Sequence, residues 1–95
     1  MNLMIIKHEA RYNRAKDIAN KIEEESKELQ EALKSGEPQD IVNEALDLLT
    51  VCLNAINEQA DEVCIEDEVI EHQKKLSDRG WKSEKRVSFR IYGNE

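Results

Sequence analysis

Two pairs of acidic residues stand where a helical repeat of apolar residues would otherwise run. One pair is Glu25 and Glu28, in Glu24-Glu25-Ser26-Lys27-Glu28; the other is Glu44 and Asp47, in Glu44-Ala45-Leu46-Asp47. Within each pair the spacing is i,i+3, so both carboxylates project from one helical edge. Carboxylates gathered against an apolar core repel one another, and burial disfavours their charged forms. Hard divalent cations, which take oxygen ligands, relieve both penalties. The four acids are therefore candidate ligands of a metal ion held between helices. A structural reading competes with this one: each acid pairs with a Lys or Arg from a third helix or another chain, because a buried charge without a partner costs several kcal/mol. Glu23, Glu31 and Glu37 read as an ordinary solvated face. Glu24 lies beyond the apolar edge but adjoins Glu25.

Basic residues form a second constellation. His72, Lys75 and Arg79 recur at i, i+3 and i+7 around Leu76, on one edge of a helix. Lys75 and Arg79 are candidates to hold phosphate oxygens, Arg79 in a bidentate manner. The plainer alternative is that Glu71 and Lys75 make an i,i+4 surface pair. His72 reads as a packed residue at the core edge, and Trp81 as an anchor after Gly80 rather than a platform for a base. No GxxxxGK[ST] loop, GxGxxG or GxSxG occurs, so phosphates would have to be handled by acids and metal on helices. His8 has no neighbour in sequence that gives it a chemical role. Cys52 and Cys64 lack a CxxC partner and read as small hydrophobes rather than a zinc site or a disulfide framework.

Three helices position these groups. Ile18, Ile22, Leu29 and Leu33 recur at helical spacing, with Glu25 in the missing step. This pattern predicts a helix from about His8 to Lys34, with a possible break near Tyr12-Asn13. Gly36 suits its C-terminus and Pro38 the first turn of the next helix. That second helix is apolar over more than half its circumference, from Ile41 to Ile56, and is expected to be buried on two sides, against its own chain and a second copy. Asp61 is the expected N-cap of a third helix, from about Glu62 to Asp78, with Ile65, Val69, His72 and Leu76 as its apolar stripe. In the tail, Val87, Phe89 and Ile91 alternate with Ser88, Arg90 and Tyr92, a strand pattern over 86–92. A lone strand is unstable, so its partner would be Leu3–Ile6 or the tail of another subunit.

Length and composition bound the rest. A chain of 95 residues allows one domain, here 1–95. With 39% hydrophobic and 4% aromatic residues, its core is thin, and a partner subunit is expected to complete it. The net charge of −7 argues against binding to nucleic-acid polymers or anionic membranes. It also means that a phosphate-bearing ligand needs a cation in between. No apolar run is long enough to span a bilayer, and MNLMIIK is too short for a secretory segment. The expected location is cytoplasmic.

Glu24-Glu25-Ser26-Lys27-Glu28, followed sixteen residues after Glu28 by Glu44-Ala45-Leu46-Asp47, resembles the EExxE…ExxD signature of the MazG-like all-α nucleoside triphosphate pyrophosphohydrolases. That superfamily also includes phosphoribosyl-ATP pyrophosphohydrolases and dimeric dUTPases. Lys75-Leu76-Ser77-Asp78-Arg79-Gly80-Trp81 is similar to the basic end of the family's later helix, so the resemblance covers about residues 15–81. It implies an all-α helical bundle completed by dimerisation, as a homodimer or a dimer of dimers. It implies Mg²⁺, with Mn²⁺ as a possible substitute, on Glu25, Glu28, Glu44 and Asp47. Glu24 and Glu25 would serve catalysis, Glu24 by supporting the metal shell or orienting water, and Lys75 and Arg79 would bind substrate. The implied reaction cleaves a nucleoside triphosphate to a monophosphate and pyrophosphate, in a house-cleaning role. The alternating tail is not part of that signature. The alternative function is a non-catalytic helical oligomerisation module held by inter-subunit salt bridges.

Overall fold

A computed structural model of the chain describes residues 1–6 and 14–93. It contains three helices: α1 (Arg14–Ser35), α2 (Pro38–Glu58) and α3 (Ile65–Asp78). The protein is all-α among the described residues, and it forms two compact units, Met1–Glu58 and Gln59–Glu95.

The first unit is a helical hairpin. The α1 sequence carries no Gly or Pro and is rich in Ala, Glu, Lys and Leu, all good helix formers. It ends one residue beyond the expected Lys34. Its expected beginning, His8 to Asn13, and the break near Tyr12-Asn13 lie outside the described residues. At its C-terminus Gly36 adopts a left-handed conformation with φ of 76°, and its N–H donates to the Ala32 carbonyl at 3.0 Å. The Ser35 hydroxyl donates to the same carbonyl at 2.9 Å. This satisfies an acceptor that the helix end would leave orphaned. Pro38 then opens α2 at the position where its missing N–H costs nothing, and the Ile41 N–H donates to Glu37 at 3.0 Å. Only Gly36 and Glu37 separate the helices. So short a link makes them antiparallel neighbours, and they pack on each other.

One line of residues carries that packing on α1. Ile18, Glu25 and Ala32, seven residues apart, are each 8% exposed, as is Val51 on α2. Spacing of seven returns to nearly the same helix face, so a carboxylate occupies the middle of the apolar seam. Burying Ile18 and Val51 contributes about 1.5–3 kcal/mol each. No large side chain is fully buried among the described residues, in keeping with a thin core. On the side of α2 opposite Val51, Val42, Leu46 and Leu49 are exposed. They recur at i, i+4 and i+7, a second apolar stripe.

The second unit departs from the sequence reading at two places. First, α3 starts at Ile65, not Glu62, and its N-cap is Cys64 in extended backbone, with no side-chain cap bond, rather than Asp61. The Gln59 carbonyl accepts from both Glu62 (3.0 Å) and Val63 (3.1 Å), closing a turn that consumes the residues expected to begin the helix. Glu66, Asp67 and Glu68 fill the first turn, where negative charge suits the helix dipole. Ile65, Val69 and Leu76 are half-buried, but His72 is exposed, so it is not a packed edge residue. The helix ends as expected at Gly80, with φ of 88°. Gly80 and Trp81 donate to Ser77 and Leu76, both at 3.0 Å, the paired bonds of a Schellman cap.

The second departure is the tail. Residues 86–92 form no strand, and neither does Leu3–Ile6; among the described residues there is no β structure. Alternation predicts which faces a strand would have, but not a neighbouring backbone to pair with, and a strand without one is not stable.

Candidate metal centre

The hairpin brings all four acids of the two motifs together. One carboxylate oxygen each from Glu25, Glu28, Glu44 and Asp47 can be chosen so that all lie within 4.8 Å of one another. The i,i+3 pairs on α1 and α2 face each other because the short Gly36-Glu37 link fixes the register of the two helices. The cluster is graded in exposure: Glu25 is buried, Glu44 half-buried, and Glu28 and Asp47 exposed. It has an inner floor and an open rim.

Its hydrogen bonding is incomplete. The buried side-chain polar atoms without a partner, among the described residues, are Glu25 Oε2, Glu44 Oε2 and Asn54 Oδ1. Two of the three therefore belong to the floor of the acid cluster. Orphaned buried acceptors of this kind are costly and call for a bound donor or ion. Four carboxylates converging from two helices, with one unpartnered oxygen each on Glu25 and Glu44, fit a divalent cation such as Mg²⁺.

Burial pushes the Glu25 carboxyl above its ordinary range; a hydrogen bond with Glu28 and the charges of Glu28 and Asp47 add to this, and Lys21 opposes it. Glu25 thus resists ionisation on its own. Lys21 reaches Glu24 and Glu25, each at 3.6 Å, and these two acids, Glu24 foremost, raise its pKa. Its side chain is 55% exposed, so solvent screens the pairing.

A cation beside the cluster, Lys21, comes from one turn earlier on α1, a source other than the third helix or second chain named in the ion-pair alternative. The sequence reading missed Lys21, although its i,i+4 spacing to Glu25 was available as a signal. It also missed Asn54, whose signal was a polar residue interrupting Val51-Cys52-Leu53 and Ala55-Ile56.

Glu24 is exposed and points to Lys21, outside the four-acid cluster. Lys75 on α3 and Arg79 at its C-cap are exposed residues of the second unit. On the loop side of the cluster, Glu28, Glu31, Asp40 and Glu44, with Ala32 and Ser35, line an open depression. This extends the negative surface toward the hairpin turn. No helix among the described residues is long and apolar enough to cross a membrane.

No curated protein and no solved structure shows significant similarity to the chain. A family model does: residues 7–72 match phosphoribosyl-ATP pyrophosphohydrolase. The match takes in α1, α2 and all four clustered acids, and stops short of Lys75 and Arg79. With over half of the chain matched and the acids converging within it, the protein belongs to the phosphoribosyl-ATP pyrophosphohydrolase family, a branch of the MazG-like all-α superfamily whose members are hydrolases acting on acid anhydrides.

Proposed function

We propose that this chain is a Mg²⁺-dependent hydrolase that cleaves nucleoside triphosphates between the α- and β-phosphates, releasing a nucleoside monophosphate and pyrophosphate. The observation that carries this reading is the four-acid cluster with its two unpartnered floor oxygens. Glu25, Glu28, Glu44 and Asp47 would hold the metal, with Mn²⁺ as an acceptable substitute. When bound, the ion supplies charge neutralisation and Lewis-acid polarisation of phosphate oxygens. The residues themselves do the positioning. Glu25 and Glu44 anchor the site from the inside, while Glu28 and Asp47 present oxygens at the open rim. Glu24, at the solvent edge, orients the water whose oxygen ends on the cleaved phosphate. Lys21 holds Glu24 and Glu25 in place. Lys75 and Arg79, from this chain or a second copy, bind the remaining phosphate oxygens. A second copy of the chain covers the Val42–Leu46–Leu49 stripe, giving a homodimer or a dimer of dimers. The physiological setting is surveillance of the cytoplasmic nucleotide pool.

A panel of canonical and modified nucleoside triphosphates with Mg²⁺, read for pyrophosphate against orthophosphate, tests the reading. Pyrophosphate release is expected with at least one of them, and Glu44→Gln or Asp47→Asn should reduce it by at least about 100-fold with the fold retained. Full activity in either variant, or orthophosphate as the product, overturns the assignment.

A further inference from the structure

The metal centre makes no use of the tail. Over residues 86–92, apolar Val87, Phe89 and Ile91 alternate with polar Arg86, Ser88, Arg90 and Tyr92, the period of a strand. None of these residues makes a backbone hydrogen bond among the described residues, so the donors and acceptors of a ladder stand open. The apolar side chains are open as well: Val87 is 94% exposed and Phe89 43%. Unpaired backbone beside an exposed apolar face is a template for another strand. Two segments of this chain compete to fill it from a second copy: residues 3–6 and the same tail. Residues 3–6 form a shorter run without alternation, and would set apolar side chains on both faces of a ladder.

The tail, by contrast, complements itself, and does so in one register. Directly opposed residues of an antiparallel pair share a face. Pairing about Phe89 sets Phe89 opposite the partner's Phe89 and Val87 opposite the partner's Ile91, all on one face. On the other face Arg86 meets the partner's Tyr92, a cation–π pairing, and Ser88 meets the partner's Arg90. A slip of one residue sets apolar against polar side chains. A slip of two puts Arg86 opposite the partner's Arg90 in one direction, and Arg90 opposite the partner's Arg90 in the other. Like charges directly opposed are destabilising, and each slip also gives up an apolar pair. Parallel pairing in register fails on the same ground, because it sets each arginine beside its own copy.

We propose that residues 86–92 of two copies pair as an antiparallel ribbon centred on Phe89. The contact is isologous, with its two-fold axis at that residue. It turns the alternation into strand only when a second chain is present, which is why a single chain shows none. A two-stranded ribbon alone is marginal, so it strengthens an assembly made elsewhere rather than founding one. Its apolar face needs a cover, and Ile70 and Trp81 of the same unit, 63% and 70% exposed, offer apolar surface for that purpose. The pairing is independent of the hydrolytic reaction proposed above.

The experiment maps the register by cross-linking. In the full chain the free Cys52 and Cys64 are first replaced, as Cys52→Ala and Cys64→Ser. Adding Phe89→Cys to that background should give a disulfide-linked dimer under mild oxidation, in about tenfold excess over Val87→Cys or Ile91→Cys alone, since a disulfide requires close Cα atoms. In this register residues 87 and 91 each lie four positions from their own copies, about 13 Å along the strand. Mixing the Val87→Cys and Ile91→Cys proteins should restore the cross-link. Equal cross-linking at all three positions, or none at residue 89 and none in the mixture, overturns the pairing. A second measurement leaves the sequence intact and decides the matter if the variants do not fold. Within one extended strand Val87 and Ile91 are too far apart for a nuclear Overhauser contact, so such a contact in the wild-type protein reports pairing between copies. Its absence, or a wild-type protein that is a single chain in solution, overturns the proposal.

Discussion

Glu25 is the residue at which packing and charge conflict most directly. It sits between Ile18 and Ala32 in the buried line of α1, and its carboxyl titrates above the ordinary range because of that burial. A raised folded-state pKa means that the neutral form is favoured on folding. The associated stability is present in mild acid and is lost as pH rises through the folded-state value. In chelator, the wild-type melting temperature should therefore fall, relative to Glu25→Gln, as pH is raised from the carboxylate range toward neutrality. At neutral pH the variant should be the more stable by about 1–2 kcal/mol, the scale of penalty for an unsatisfied buried group, and it should show a diminished melting shift on adding Mg²⁺. Parallel pH profiles for the two proteins would contradict this. The four clustered acids were legible in the sequence because each interrupts an apolar repeat. Lys21 was less so: a lysine one turn before a glutamate is common on any helix surface, and only burial of Glu25 gives the pair meaning.

At the level of elements, the hairpin turn sets the geometry of the site. Gly36 holds φ at 76° with open space around its Cα, so what excludes other residues is backbone conformation rather than crowding. Gly36→Ala should cost about 1–2 kcal/mol, the penalty for a left-handed L-residue. Urea unfolding should show a lower midpoint with an unchanged slope; an unchanged midpoint would mean that the turn tolerates the side chain. Gly36 and Pro38 made this turn readable in advance, because both have narrow conformational preferences. The start of α3 was not readable in the same way. Asp61 is a good cap by residue type, but the Gln59 carbonyl captures Glu62 and Val63 in a turn, a backbone choice that side-chain preference does not report. The tail failed for a related reason: periodicity describes one segment, whereas a strand is a property of two.

Across the whole molecule, the exposed row of Val42, Leu46 and Leu49 faces away from α1, so the first unit does not use it. Covered by a second copy, it would supply the interior that a 95-residue chain lacks. Leu46→Asp combined with Leu49→Asp should reduce the mass seen by light scattering to that of one 11.0 kDa chain. Wild-type protein that already scatters as a single chain would rule out the assembly. The net charge of −7 has its own effect: substrate approach is opposed until the acids are neutralised, so the rate of productive encounter should depend steeply on free divalent cation.

The seven-residue line through Ile18, Glu25 and Ala32 also constrains how this protein can evolve. Selection for heat tolerance under metal starvation would favour a leucine at its centre, the simplest repair of the seam. On the function proposed above, such a variant would be sturdier but would have lost a ligand of its metal, so keeping the glutamate would trade hairpin strength for turnover.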